Sequence, residues 1–163
     1  MTENTNIELN KEMKIVIGLP AFNEEKNIGK IIAQLLDKSY SVIVCNDGSS
    51  DSTGIIAEKM GAIMINHKRN LGYGAAIGSI FKKARENKFD ILVTFDSDGQ
   101  HRISDIEKII EPIQNKMSDI VIGSRFTENG KADMPKYRKL GIKVITNLVN
   151  SQTGKKITDS QSG

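Results

Sequence analysis

The 163-residue chain has no tryptophan and a single cysteine, and each scarcity excludes a class of protein. One cysteine, Cys45, cannot form an internal disulfide, so the sequence favours a reducing, cytoplasmic compartment. Aromatic residues make up 5% of the chain, too few for the stacking surfaces that bind single-stranded nucleic acid, and no nucleic-acid partner is expected. No apolar run approaches the roughly 20 residues that span a bilayer. The first dozen residues are polar, which predicts a loose tail over residues 1–12 rather than a signal peptide.

The bulk composition is that of a folded domain with an uneven charge. Hydrophobic residues form 38% of the chain and charged residues 26%, and the length allows one sizeable core. The net charge is +3, but residues 131–163 alone carry seven Lys or Arg against two Asp. Such a basic segment is either the solvated face of a helix or a surface for phosphates and anionic membranes.

Short β-branched runs alternate with helical patterns along the chain. Strands are predicted over residues 14–19, 40–45, 62–65, 90–95 and 120–122. Helices are predicted over residues 27–36, 52–60, 75–85 and 104–114, the last opened by a capping box of Ser104 and Glu107. A loop over residues 124–135 and a basic amphipathic helix over residues 136–152 follow. The alternation predicts an α/β fold with a mainly parallel central sheet and helices on both faces.

A polar loop rich in small residues follows every predicted strand. The loops are Pro20-Ala-Phe-Asn-Glu-Glu, Asn46-Asp-Gly-Ser-Ser-Asp, His67-Lys-Arg-Asn-Leu-Gly-Tyr-Gly, Asp96-Ser-Asp-Gly-Gln-His and Gly123-Ser-Arg-Phe. Because the carboxyl ends of parallel strands share one edge of a sheet, we expect the five loops to converge there. Open α/β sheets bind their ligands at that edge.

The fourth loop places two carboxylates directly after a buried strand. Asp96 and Asp98 would repel each other and lose solvation there, and a bound oxygen-preferring divalent cation offsets both costs. A phosphohydrolase that uses the first Asp as a nucleophile is an alternative, although Gln100 stands where such enzymes have Thr or Val. An EF-hand loop is excluded because its sixth position needs Gly and holds His101.

Two other loops allow both a structural and a binding interpretation. The segment that begins Asp47-Gly-Ser-Ser is typical of a tight turn before a helix, and it equally suits contact with a ligand. The segment beginning at Gly72 either packs closely or offers backbone amides to phosphate oxygens. The spacing of His67 and His101 indicates neither a zinc site nor a Ser-His-Asp set.

Taken in order, these loops resemble those of family 2 glycosyltransferases of the GT-A fold, and within that family the dolichyl- or polyprenyl-phosphate sugar synthases. The matching segments are Pro20-Ala-Phe-Asn-Glu, Asn46-Asp-Gly-Ser-Ser-Asp, Asn70-Leu-Gly-Tyr-Gly, Asp96-Ser-Asp-Gly-Gln-His, Gly123-Ser-Arg-Phe and Asp159-Ser-Gln-Ser-Gly. The resemblance implies a single GT-A catalytic domain over residues 13–163. In the family the last motif continues with Phe-Arg, so a domain that stops at Gly163 is expected to be truncated at its C-terminus.

The resemblance implies roles for the first two loops in holding a nucleotide. Pro20, Phe22 and Glu24 would line the base and ribose. Asp47 would bind the base, with the Cys45 backbone beside it. The family often has Tyr at the position of Phe22, a departure that removes no metal ligand.

The resemblance also implies which residues contact the diphosphate and the transferred sugar. Asp96 and Asp98 would meet the diphosphate and a metal ion, Mg²⁺ or Mn²⁺, with backbone contact from Ser97. Arg125 would bind a phosphate, which suits its planar, two-pronged donor geometry. Gln100 would lie near the transferred sugar or the acceptor.

The implied reaction is the inverting transfer of a sugar from a nucleoside diphosphate to a polyprenyl or dolichyl phosphate. With a second pKa near ~6, a lipid monophosphate is largely dianionic at pH 7 and needs no strong general base, so Asp159 would orient the metal or acceptor. With a sugar hydroxyl as acceptor, Asp159 would be the base. Residues 136–150 would touch the cytoplasmic face of a membrane. The alternatives are transfer to a glycan or cell-surface polymer and a non-catalytic nucleotide-sugar-binding module. The oligomeric state is not indicated.

Overall fold

In a computed structural model of the chain, the structure describes residues 13–98, 102–123, 142, 145–147 and 149–151. The strands are β1 (Ile15–Ala21), β2 (Ser41–Asn46), β3 (Ile63–Asn66) and β4 (Ile91–Thr94). The helices are α1 (Ile28–Asp37), α2 (Thr53–Lys59), α3 (Tyr73–Glu86) and α4 (Ile106–Gln114), and a 3₁₀ turn spans Ile103–Asp105. The chain divides into two compact units, Met1–Ser104 and Asp105–Gly163. None of the described helices is both long and apolar enough to cross a membrane.

The first unit is built on a four-stranded sheet with the order β3-β2-β1-β4 and every pairing parallel. In the register, Gly18 of β1 lies opposite Ile43 of β2 and Thr94 of β4. Parallel strands covered on both faces are near-continuous apolar runs, and β1 is buried from Val16 to Ala21. The predicted α/β fold is therefore confirmed.

One face of the sheet packs against α3. Val16, Ile43 and Cys45 form a buried cluster with Ala76 and Ile80 of that helix. The close approach requires glycine in β1, because a Cβ on Gly18 would lie 2.4 Å from the Ile80 Cγ2 atom.

The helix α1 packs near β2 and α2. Its buried side chains recur at a spacing of three or four residues, which puts them on one face of the helix. They are Ile28, Ile31, Ile32 and Leu35. The apolar periodicity of residues 27–36 predicts this helix to within a residue at each end.

The strand order creates a switch point beside β1. Successive connections run from β1 to β2 and β3 on one side, and the next strand, β4, lies on the other side of β1. The loops that leave β1 and β4 diverge here, which is where doubly wound sheets form a ligand-binding crevice. The fold therefore places Asp96 and Asp98, which follow β4, beside the loop after β1.

Two sequence predictions for residues 103–123 are wrong. No capping box forms at Ser104, because residues 103–105 make a 3₁₀ turn and α4 begins at Ile106 without a side-chain cap. Residues 120–122 form no strand: Ile120 is 80% exposed and Ile122 is 59% exposed. A run of three apolar residues specifies no strand by itself, since a strand needs a partner to complete its hydrogen bonds.

The other predictions for this region are tested only in part. Of the helix predicted over residues 136–152, the described positions 142, 145–147 and 149–151 are helical. The tail over residues 1–12 and the loop over residues 124–135 lie outside the described residues.

Candidate functional site

The loops that follow β1 and β2 are joined by reciprocal hydrogen bonds. Asn23 holds a positive φ of 57°, and its Oδ1 accepts the Ser50 N–H at 2.9 Å. Its own N–H donates to Ser49 Oγ at 3.0 Å. Farther along, the Glu25 N–H donates to Asp51 Oδ2 at 3.1 Å. These bonds fix the two loops relative to each other, as their predicted convergence requires.

Glu24 and Asp51 act on the helices that follow their loops. The Glu24 carboxylate accepts the Asn27 side-chain amide at 2.9 Å, and its N–H donates to Thr53 Oγ1 at 2.8 Å. Asp51 accepts the Thr53 N–H at 3.0 Å, so the turn interpretation holds for that carboxylate. Phe22, in the same loop as Glu24, is 46% exposed. The proposed nucleotide-binding roles of Glu24 and Phe22 stay predictions.

Asp47 is buried and its two carboxylate oxygens accept hydrogen bonds from the third loop. Oδ1 lies 2.6 Å from His67 Nδ1 and accepts the Leu71 N–H at 3.0 Å. Oδ2 accepts the Gly72 N–H at 2.8 Å. In this arrangement Asp47 fastens the turn before α3, and its predicted contact with a nucleotide base would come in addition to that task.

Burial alone would raise the pKa of Asp47. The hydrogen bonds from His67, Leu71 and Gly72 outweigh burial and hold the pKa of this carboxyl below its usual 3.8. A group with a depressed folded-state pKa adds stability above its unfolded-state pKa, and that stability is lost as the pH falls through the folded value.

We therefore expect the free energy of unfolding to fall as the pH drops below about 4, and to fall less for Asp47→Asn. The unfolded chain binds a proton at Asp47 before the folded chain does, which fixes the sign. Urea unfolding between about pH 6 and about pH 2.5 measures both slopes. Asp105→Asn, at an exposed carboxylate, serves as the control. Equal slopes for Asp47→Asn and the unaltered protein would contradict the assignment.

A chain of hydrogen bonds runs from Asp47 through His67 to Ser79. The His67 Nε2 atom lies 2.9 Å from Ser79 Oγ in α3 and 3.7 Å from Cys45 Sγ. The sequence spacing indicated no Ser-His-Asp set, because the three residues come from three separate elements. Burial, and then the charge of Asp47, raise the pKa of the Cys45 thiol to about 11, so the thiol stays neutral.

The end of β4 is attached to the end of β1. Ser97 is buried, and its Oγ donates to the Pro20 carbonyl at 2.8 Å across the switch point. Asp96, which precedes it, is partly exposed, and Asp98, which follows, is exposed. The buried serine therefore holds two solvent-accessible carboxylates in place beside the β1 loop.

Tyr73, the first residue of α3, also reaches this edge. Its hydroxyl donates to Asp96 Oδ1 at 3.2 Å. Burial and the charge of Asp96 raise the pKa of Tyr73 to about 12, so the phenol keeps its proton and remains a donor. Tyr73 was not among the site residues predicted from the sequence.

The donor chemistry of this edge fits a divalent cation that binds together with a phosphate ligand. In the part of the chain that the structure describes, no group of three or more His, Cys, Asp or Glu side chains is arranged to hold a metal by itself. Asp96 and Asp98 supply carboxylate oxygens, the ligands that Mg²⁺ and Mn²⁺ prefer. Mg²⁺ is commonly held by one or two carboxylates plus substrate phosphates and water. The two residues thus suit a cation completed by a diphosphate.

Three predicted site residues cannot be placed in this geometry. Gln100, Arg125 and Asp159 lie outside the described residues. Their roles at the sugar, the phosphate and the acceptor stay predictions.

The family of the chain follows from comparison with known proteins. The family model described as Glycosyl transferase family 2 matches residues 16–161. An uncharacterized protein of Methanocaldococcus jannaschii is 40% identical over 99% of this chain. The UDP-N-acetylglucosamine–dolichyl-phosphate N-acetylglucosaminyltransferase of Methanococcus voltae is 38% identical over 91% of it. The chain belongs to glycosyltransferase family 2, which confirms the predicted enzyme class.

A solved structure supports the same fold. Glucosyl-3-phosphoglycerate synthase from Mycobacterium tuberculosis, crystallised with Mn²⁺, UDP and glucosyl-3-phosphoglycerate, superposes with a TM-score of 0.50 and 27% identity over 62% of this chain. The chain spans 39% of that protein and 67% of the length of each of the two archaeal relatives.

Proposed function

We propose that the protein transfers a sugar from a nucleoside diphosphate to a polyprenyl or dolichyl phosphate, with inversion at the anomeric carbon. The observation that carries the proposal is the position of Asp96 and Asp98 at the switch point, fastened to the β1 loop through the Ser97–Pro20 hydrogen bond. The Methanococcus voltae relative, named for a dolichyl-phosphate acceptor, supports the choice of acceptor.

The nucleotide would lie along the first two loops. Phe22 offers an exposed ring beside the switch point, and Pro20 lies at the end of β1. Asp47 and the Cys45 backbone would flank the base, with Asp47 also keeping the third loop in place. The reciprocal bonds between the two loops mean that they need little ordering when a nucleotide binds, which lowers the entropic cost of binding.

The diphosphate would meet Asp96 and Asp98 together with Mg²⁺ or Mn²⁺. When bound, the cation would neutralise charge that develops on the leaving diphosphate. Ser97 holds the backbone between the two carboxylates, so their geometry is set before substrate arrives. The acceptor phosphate would arrive largely dianionic, and Asp159 would then orient it rather than remove a proton.

Residues 13–163 would form the catalytic domain of this enzyme, and the basic segment over residues 136–150 would bring it to a lipid surface. Each Lys or Arg near an anionic leaflet contributes about 1 kcal/mol, which suits reversible attachment at the cytoplasmic face.

The direct test is an assay of donors and acceptors with the chain itself. UDP-N-acetylglucosamine, UDP-glucose and GDP-mannose are each added with and without Mn²⁺, and the melting temperature is measured. We expect one donor to stabilise the chain in a Mn²⁺-dependent manner. Radiolabelled sugar from that donor should then be transferred to dolichyl phosphate, and the product is measured as radioactivity extracted into organic solvent.

Each other outcome identifies an alternative. Donor binding without transfer would indicate a binding module, and transfer to glycans without lipid dependence would indicate a polymer-directed enzyme. Phosphate release from simple phosphoesters would favour the phosphohydrolase. No response to any nucleotide sugar would contradict the proposal.

A further inference from the structure

We propose that Tyr73 is a positioning residue for Asp96, and that Asp47 with His67 fixes the point where Tyr73 begins α3. The inference rests on the proposed function, in which Asp96 holds a divalent cation and the donor diphosphate. Its starting observation is the hydrogen bond from the Tyr73 hydroxyl to Asp96 Oδ1 at 3.2 Å.

The contact joins the loop that follows β4 to the first turn of α3. Asp96 follows the end of β4, and its side chain is partly exposed. Tyr73 begins a helix whose Ala76 and Ile80 are buried against β1 and β2, so its main chain is immobilised by the core. A donor on an anchored element fixes the orientation of a metal-ligating carboxylate and raises its affinity for the ion.

The start of α3 is itself held by a buried acid. The N–H groups of Leu71 and Gly72, the two residues before Tyr73, donate to the Asp47 carboxylate at 3.0 and 2.8 Å. Gly72 has a φ of +91°, a conformation that other residues rarely adopt, so the turn requires glycine at this position. The position from which the Tyr73 side chain departs is therefore set by Asp47.

His67 connects Asp47 to α3, the helix that begins at Tyr73. Its Nδ1 atom lies 2.6 Å from Asp47 Oδ1 and its Nε2 atom 2.9 Å from Ser79 Oγ. Asp96 is therefore connected to Tyr73 by a hydrogen bond, and Tyr73 follows Gly72 in the main chain. Gly72 is connected by further hydrogen bonds through Asp47 and His67 to Ser79 of α3. Because both ends of this series of contacts lie on α3, the contacts resist displacement of the first turn of that helix.

The test replaces Tyr73 with Phe, which removes the hydroxyl and keeps the ring. We expect the affinity for Mn²⁺, titrated calorimetrically in the presence of UDP, to weaken about tenfold. GDP replaces UDP if the donor assay selects a GDP sugar. Nucleotide affinity without Mn²⁺ should stay the same, because the change acts through Asp96. Tyr40→Phe, at the opposite end of the sheet, makes the same chemical change and should leave Mn²⁺ binding as it was.

The second part of the test replaces His67, which contacts both Asp47 and Ser79. His67→Asn keeps a side-chain N–H near the position of Nδ1, whereas His67→Leu keeps bulk without a donor. We expect His67→Leu to weaken Mn²⁺ binding and to speed amide hydrogen exchange at Leu71 and Gly72, and His67→Asn to restore both in part. If His67 acts through Tyr73, the double variant with Tyr73→Phe binds Mn²⁺ no worse than Tyr73→Phe alone. Melting temperatures are measured alongside, so that loss of folding is recognised.

The outcomes separate this inference from the proposed function. If the unaltered chain binds no Mn²⁺ with either nucleotide, the proposed function is contradicted. If the unaltered chain binds Mn²⁺ and the Tyr73→Phe variant binds Mn²⁺ equally tightly, Tyr73 does not position Asp96. If Tyr73→Phe weakens binding but His67→Leu changes neither Mn²⁺ affinity nor amide exchange, the part assigned to Asp47 and His67 is overturned.

Discussion

Replacement of Asp98 with Asn is expected to lower the rate of sugar transfer at least about 100-fold. The substitution keeps the size of the side chain but removes the charge of one of the two carboxylates that follow β4. Stabilisation of a leaving diphosphate by a cation amounts to several kcal/mol, and each 1.36 kcal/mol is a factor of ten in rate. Steady-state transfer to dolichyl phosphate, measured with rising Mn²⁺, gives the loss and any rescue.

The matched control for this change is Asp105→Asn. The Asp105 side chain is about half exposed and pairs with Lys108 at 3.0 Å, and Asp105 belongs to the second compact unit. The Asp105→Asn variant should transfer sugar at the normal rate, because exposed ion pairs add little to stability and the substitution leaves Asp96 and Asp98 unchanged. Full activity of the Asp98→Asn variant would contradict a metal-binding role for Asp98. Equal losses in both variants would point to an effect of net charge instead.

Replacement of Gly48 with Ala is expected to lower the free energy of unfolding by about 3 kcal/mol. Gly48 has a φ of +72°, which costs a residue with a Cβ about 1–2 kcal/mol. The added Cβ would also lie 2.4 Å from the carbonyl carbon of Arg69 and 2.6 Å from the nitrogen of Asn70. Overlap with main chain in a packed region adds roughly 1–3 kcal/mol. Urea unfolding measures the total.

Gly61 provides a control that separates backbone strain from overlap. Its φ is +85°, but nothing lies within 4 Å of the position of an added Cβ. Gly61→Ala should therefore lose only about 1–2 kcal/mol. Because Gly48→Ala displaces the loop that Asp47 fastens, it should also weaken Mn²⁺ binding, whereas Gly61→Ala should not. Equal destabilisation by the two substitutions would show that contact with the third loop is unimportant.

The fold was predictable because its determinants are local. Parallel strands buried on both faces read as short apolar runs, and the predicted strands over residues 14–19 and 40–45 match β1 and β2 to within two residues. Residues 120–122 have the composition of a strand but form none, and Ile120 and Ile122 are exposed. The start of α3 was placed two residues late, since Gly72 permits the helix to begin directly after it.

The candidate site was predictable only where the chemistry lies close in sequence. Asp96 and Asp98 are two residues apart after an apolar run, so strand and carboxylates were recognised together. The burial of Asp47 was not foreseen, because it depends on amides more than 20 residues farther along the chain. The contact of Tyr73 with Asp96 likewise spans 23 residues and depends on how α3 packs. Long-range packing sets these contacts, and no local pattern encodes them.

The most direct test of the account is a crystal structure of the chain grown with Mn²⁺ and the donor that the assay selects, with anomalous diffraction measured for manganese. The account predicts a manganese peak bonded to carboxylate oxygens of Asp96 and Asp98 and to the diphosphate, at the crevice between β1 and β4. A diphosphate bound elsewhere on the chain, or in this crevice without manganese at the two carboxylates, would contradict it.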